Sequence, residues 1–155
     1  MKIKKHFNVL NKKEQSSILK LVKKSLTKIP NCPGLQTYPG LHSRAELKPL
    51  IESLKKYIPG KFIINKWWAN YTDGERVIHW HKHGSDLSVV YYLKNKKSLG
   101  TLFRVNDKMV SFKAPENSLI IFKDELHTVP NRKRGTAKIN RYVVSFEIFK
   151  GSVYV

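Results

Sequence analysis

The hydrophobic spacing of this chain changes period once, near residue 61, and that change decides what it can fold into. Before it, apolar residues recur at three- and four-residue steps: Ile18, Leu19, Leu21, Val22, Leu26 and Ile29, then Leu47, Leu50, Ile51, Leu54 and Ile58. Such spacing gathers side chains on one face of a helix. Each run follows a start signal, Asn11-Lys12-Lys13-Glu14 and Ser43-Arg44-Ala45-Glu46, in which a capping side chain and an acid three positions on satisfy each other's backbone N–H groups. The first helix is expected to stop at Pro30 and the second at Pro59-Gly60, with a Pro- and Gly-containing loop over 31–42 between them.

Beyond residue 61 the pattern is that of strands. Short β-branched and aromatic runs fall at 61–72, 76–81, 87–93, 101–105, 109–113, 118–123 and 139–149, separated by turn residues such as Asp73-Gly74 and Asn106-Asp107. Helices followed by such a strand series predict a mainly β protein of jelly-roll type, its N-terminal helices bracing the outside of one sheet. A chain of 155 residues has room for one core. The whole of 1–155 is therefore expected to form a single domain, with bracing helices and loop in 1–60 and the β core in 61–155.

Composition excludes several classes. No apolar run approaches the roughly 18 residues of a membrane span, and the basic N-terminus leads into polar sequence rather than a secretory apolar stretch. One cysteine, Cys32, permits no intrachain disulfide, so a cytoplasmic location without membrane association is expected. The net charge of +19 would draw polyanions, yet only six of the 30 basic residues are arginine. Nucleic-acid readers lean on the arginine fork, so the lysine excess favours a solvated surface. Neither a phosphate-binding glycine loop nor zinc-finger spacing nor a nucleophilic triad is present.

Chemistry concentrates on histidine. Three of the six lie at 79, 81 and 83, and alternation along a strand would turn all three to one side. Two imidazoles at i and i+2 can meet on a metal. The outer two would sit roughly 13 Å apart at about 3.3 Å per residue, so one of the three is expected not to ligate.

Downstream of His81-Lys82-His83 come the apolar run 87–93, then Pro115-Glu116-Asn117-Ser118 before Leu119-Ile120-Ile121-Phe122, then Leu126-His127, then Arg141-Tyr142-Val143-Val144-Ser145-Phe146. Over roughly 66–149 this order resembles the 2-oxoglutarate/Fe(II) oxygenase superfamily, in particular its small prolyl-hydroxylase-like and phage-encoded members. The resemblance implies a double-stranded β-helix and a hydroxylase. It implies His81, His83 and His127 as catalytic metal ligands for Fe(II), with 2-oxoglutarate and O₂ as cosubstrates and ascorbate as a candidate reductant. Arg141 would take the far carboxylate of 2-oxoglutarate, helped by Tyr71 and by whichever of Tyr91 and Tyr92 points inward.

Two departures from the family pattern stand out. Asn117 or Ser118 replaces a turn glycine, which Asn tolerates because it enters left-handed backbone. His83 occupies the slot of a carboxylate, so that three neutral imidazoles would replace the usual two histidines and an acid. Asp86, or His79 paired with His81, are the alternatives for completing the set. Rival functions are a cupin-type metalloprotein that uses no oxoacid and a non-catalytic polyanion-binding protein. For the substrate, the resemblance favours a protein or amino-acid side chain and the charge a nucleic acid, and loops at 31–42 and 131–138 would select it.

Overall fold

The computed structural model describes residues 2–30, 34–40, 44–74, 79–130 and 136–151. Its element order is β1 (Ile3–His6), α1 (Lys12–Ser25), β2 (Leu35–Gln36), a 3₁₀ turn at Ala45–Leu47, α2 (Lys48–Tyr57), β3 (Phe62–Thr72), β4 (Leu87–Asn95), β5 (Leu102–Val105), β6 (Lys108–Val110), β7 (Ser118–Phe122), β8 (His127–Thr128) and β9 (Arg141–Lys150). Antiparallel pairing assembles a six-stranded sheet in the order β1-β7-β4-β9-β3-β2 and a three-stranded sheet in the order β6-β5-β8. This is the mainly β jelly roll with N-terminal helices that the change of period predicts.

The long sheet is covered on both faces, and strand alternation sorts its side chains between them. One set, including Val89, Tyr91, Leu93, Leu119, Ile121, Val144, Phe146 and Ile148, packs with Trp67 and Ala69 against Ile18, Leu21 and Val22 of α1 and Leu50 and Leu54 of α2. The opposite set, Val90, Tyr92, Ile120, Phe122 and Val143, meets Phe103 of β5 between the sheets. Each fully buried Leu, Ile or Phe contributes about 1.5–3 kcal/mol, so the helices are held chiefly by this apolar contact.

The helix ends differ from the sequence expectation in instructive ways. At Asn11 the reciprocal cap forms, with Asn11 Oδ1 accepting from Glu14 N at 2.8 Å and Glu14 Oε1 from Asn11 N at 3.0 Å. The helix stops at Ser25 instead of Pro30, because Thr27 leaves it to exchange two backbone hydrogen bonds with Gln36 of β2 (2.9 and 3.0 Å). Ser43, the expected second cap, lies outside the described residues. The chain instead enters α2 through the 3₁₀ turn, with Arg44 at its cap making no side-chain cap bond and a proline in the first turn of α2, where its missing N–H costs nothing.

Among the expected strands, 76–78 lie outside the described residues, and of 79–81 only His81 makes a bridge. The strand predicted over 109–113 ends at Val110. Neither β1 nor β2 was expected. The former is Ile-Lys-Lys-His, whose charge hides a strand that exists by pairing with the edge of β7. No described helix is long and apolar enough to cross a membrane.

Asn117 ties these layers together. Its φ of 63° is the left-handed conformation expected of the residue standing for a turn glycine. Its Oδ1 accepts from Leu10 N and from the Tyr91 hydroxyl (both 2.9 Å), and its Nδ2 donates to Leu10 O at 2.7 Å. Asn117→Ala removes three hydrogen bonds and strains the backbone, and should cost about 2–4 kcal/mol in urea unfolding. Asn117→Gly, which keeps the backbone relaxed, should cost less; equal losses, or a loss under about 0.5 kcal/mol for Ala, would contradict this role.

Candidate metal centre

Two distant segments meet at the open end of the sandwich. His81 N donates to His127 O at 3.0 Å and His127 N to His81 O at 3.1 Å, an antiparallel bridge that extends the short sheet beyond β8. Residues paired in this way direct their side chains to the same face, and the two rings lie 4.5 Å apart between centroids. His83, two residues on, faces the same way, its ring 4.9 Å from each of the others. Asp124 fixes it by accepting from His83 N and Gly84 N, both at 2.7 Å, which holds the segment after the bridge against the turn before His127.

The hydrogen bonds dictate the tautomers. His81 Nδ1 is 2.8 Å from the His79 carbonyl, His127 Nδ1 is 2.7 Å from the Glu125 carbonyl, and His83 Nδ1 is 3.1 Å from the Glu147 carboxylate. All three partners can only accept, so each Nδ1 must carry the hydrogen and donate, leaving Nε2 as a bare lone pair. His83 Nε2 and His127 Nε2 stand 3.1 Å apart, and the ligating atoms of all three histidines fall within 4.8 Å of one another. Two nitrogens each about 2.1 Å from one metal and at right angles would be roughly 3.0 Å apart. Converging lone pairs at that spacing repel unless a cation lies between them, so the donor set fits a transition metal.

Burial disfavours the charged form of two of the rings, His83 and His127. It pushes His83 down to about 4, with His81 and Lys66 adding to the shift and Asp124 opposing it. Burial likewise pushes His127 down to about 4, against the Glu125 carbonyl and Asp124 and with His81 and His83. The wall beside His127 is aromatic, Phe122 meeting it edge-on at 5.2 Å and Phe103 at 6.2 Å. Neutral imidazole is the form that binds metals.

The cleft in front of these rings has a volume of about 340 Å³ and runs along β9 and β3. On β9 the residues facing it are Arg141, Val143, Ser145 and Glu147. Arg141 is 2% exposed; its Nε donates to Leu99 O at 3.2 Å and its guanidinium lies 5.2 Å from the Tyr92 ring centre. Among the described residues no carboxylate pairs with it. A buried cation so placed is costly unless an anion joins it. Tyr92 supports this corner from behind, its hydroxyl 2.9 Å from Thr101 Oγ1 and accepting from Thr101 N at 3.0 Å, while Thr101 lines the cleft.

Two tyrosines do not join the site. Tyr91 alternates to the helix-covered face and bonds Asn117, and Tyr71 meets Tyr142 at a tilt with ring centres 4.8 Å apart, Tyr142 itself packing on the helix-side core. The alternative ligands are also elsewhere: Asp86 Oδ2 accepts from Lys150 N at 2.8 Å, and exposed His79 offers the site only its carbonyl. Of the proposed substrate loops, 31–33, 41–43 and 131–135 lie outside the described residues. Sequence reading missed Asp124, Thr101 and Glu147. Only Glu147 left a trace, as the one acid in β9.

No protein-family model matches the sequence and no curated protein matches it. Solved structures do. A prolyl hydroxylase from Trichoplax adhaerens, solved with a peptide fragment of the hypoxia-inducible-factor oxygen degradation domain, superposes with a TM-score of 0.70 at 16% identity over 95% of this chain and 83% of that one. HygX from Streptomyces hygroscopicus, solved with nickel, 2-oxoglutarate and hygromycin B, gives 0.70 at 9% identity over 95% and 82%. The viral collagen prolyl hydroxylase of Paramecium bursaria Chlorella virus-1, in its 2-oxoglutarate complex, gives 0.67 at 11% identity over 94% of both chains. The fold is that of the 2-oxoglutarate/Fe(II) oxygenases.

The depressed histidines make a pH prediction for the metal-free protein. Unfolded imidazoles take up protons near 6.5 and the folded ones only near 4, so the unfolded state binds more protons in that window. Stability should therefore fall as pH drops from about 6.5 to 4 and be insensitive to these groups above it. Denaturant unfolding in chelator should show a shallower decline for His127→Gln; an unchanged slope would contradict the burial argument.

Proposed function

We propose that this chain is an Fe(II)- and 2-oxoglutarate-dependent oxygenase that hydroxylates its substrate. What supports the reading above all is one cleft that combines three imidazoles of free Nε2 with a buried, acid-free guanidinium among the described residues. His81, His83 and His127 would hold the iron. When bound, iron supplies the oxidation chemistry, coupling decarboxylation of 2-oxoglutarate by O₂ to hydroxylation of a substrate C–H bond.

The protein's own tasks are binding, orientation and exclusion of water. Arg141 binds the distal carboxylate of 2-oxoglutarate, where a planar fork with parallel donors compensates a buried charge better than an ammonium. Tyr92 and the Leu99 carbonyl hold that fork in place. Val90 and Val143 line the cleft as apolar wall, lowering the local dielectric and strengthening the ion pair. A protein or amino-acid side chain is the favoured substrate, the class represented by the peptide bound to the Trichoplax neighbour. HygX is solved with hygromycin B bound, so the molecules held on this fold differ in kind, and the net charge of +19 makes nucleic acid the second candidate.

Succinate formation tests the class. Arg141→Ala should raise the 2-oxoglutarate KM roughly 10- to 100-fold, the worth of charge-assisted hydrogen bonds, while changing the Fe(II) requirement by less than about threefold; equal effects on both would count against its role. His81→Ala and His127→Ala should abolish turnover. Tight metal binding by the wild type without 2-oxoglutarate consumption would favour the cupin-type alternative, and salt-sensitive polyanion binding indifferent to both substitutions, without turnover, a non-catalytic one.

A further inference from the structure

Glu147 is the acid of this centre that neither the family pattern nor the ligand set accounts for. It sits on the cleft face of β9, three alternations from Arg141, and is 7% exposed. Its Oε1 is 3.1 Å from His83 Nδ1. Its Oε2 accepts from Asn65 Nδ2 at 3.4 Å. Asn65 is the extra residue of a bulge in β3, where the register with β9 slips between Ile64 and Lys66. Bulges re-aim side chains, and this one brings an amide donor to the carboxylate.

No lysine or arginine among the described residues forms an ion pair with Glu147, so its buried charge rests on one imidazole N–H and one amide. Such a charge is costly unless a cation lies close. Lys66, its cross-strand partner on β3, shares the cleft without an ion pair to it, and a metal on the far side of the His83 imidazole would supply a second positive charge, transmitted through the ring. A carboxylate that accepts from Nδ1–H fixes the ring's tautomer and angle and raises the basicity of Nε2.

Resting on the oxygenase reading, we propose that Glu147 is the positioning residue that replaces the missing carboxylate ligand: the centre's negative charge is moved one imidazole outward, and acts on the metal through His83. Position 83 can then be histidine without leaving the centre wholly without negative charge. Asn65 orients Glu147 from the other side. Glu147 itself does not touch the metal.

Two measurements test this. In metal-free wild-type protein, two-bond ¹⁵N correlation spectra at neutral pH should show His83 as the Nδ1–H tautomer; the Nε2–H tautomer would overturn the proposal without any variant. Co(II) titration followed by visible absorption should then give, for Glu147→Gln, an affinity lower by about 10- to 100-fold, the usual loss when an orienting partner is removed. Its His83 should no longer hold one tautomer, while His81 and His127 keep theirs. Unchanged Co(II) affinity in Glu147→Gln beside normal wild-type binding would overturn the role of Glu147 and leave the oxygenase reading standing. Absence of Co(II) binding by the wild type would overturn both.

Discussion

The reciprocal backbone bridge between His81 and His127 is the constraint on which the rest depends. It joins the segment before β4 to the short strand β8 and sets two imidazoles side by side on one face. Without it the ligands would belong to separate loops. The long sheet acts as the opposite wall, its inner register delivering Arg141 and Glu147 to the same space. Helices α1 and α2 contribute indirectly: by burying the outer face of that sheet they fix which residues of β3, β4 and β9 can point inward.

The cleft is organised by charge as much as by shape. Burial keeps His83 and His127 neutral, with one carboxylate behind His83. On the same face of β9 lies a buried guanidinium, Arg141, which lines the same cleft as the three histidines. Each of these groups is unfavourable alone. On the proposed reading, they bound a space for a divalent cation beside the rings and an organic dianion between it and Arg141.

Much of this was legible beforehand. The change of hydrophobic period gave the helix-then-strand order, and the cap at Asn11 was correct because both partners are local. His81, His83, His127 and Arg141 could be singled out because unusual residue types fall at spacings that strand alternation makes meaningful. What failed was non-local. Whether Tyr91 or Tyr92 faces the cleft depends on the register of β4 with β7 and β9, and Tyr71 follows β3 to the helix side. The strand β1 is invisible because its evidence is an unpaired edge elsewhere. Glu147 acquires meaning only when β9 is laid beside His83, and the end of α1 only when Thr27 finds Gln36.

The most direct test is a crystal grown without oxygen in the presence of Mn(II) and 2-oxoglutarate, read through the anomalous signal of the metal. The expected result is one peak bounded by the Nε2 atoms of His81, His83 and His127, with the oxoacid running from it to the Arg141 guanidinium and Glu147 outside the coordination sphere. A peak away from His81 and His127, or a metal held directly by Glu147 or Asp86 in place of His83, would contradict it.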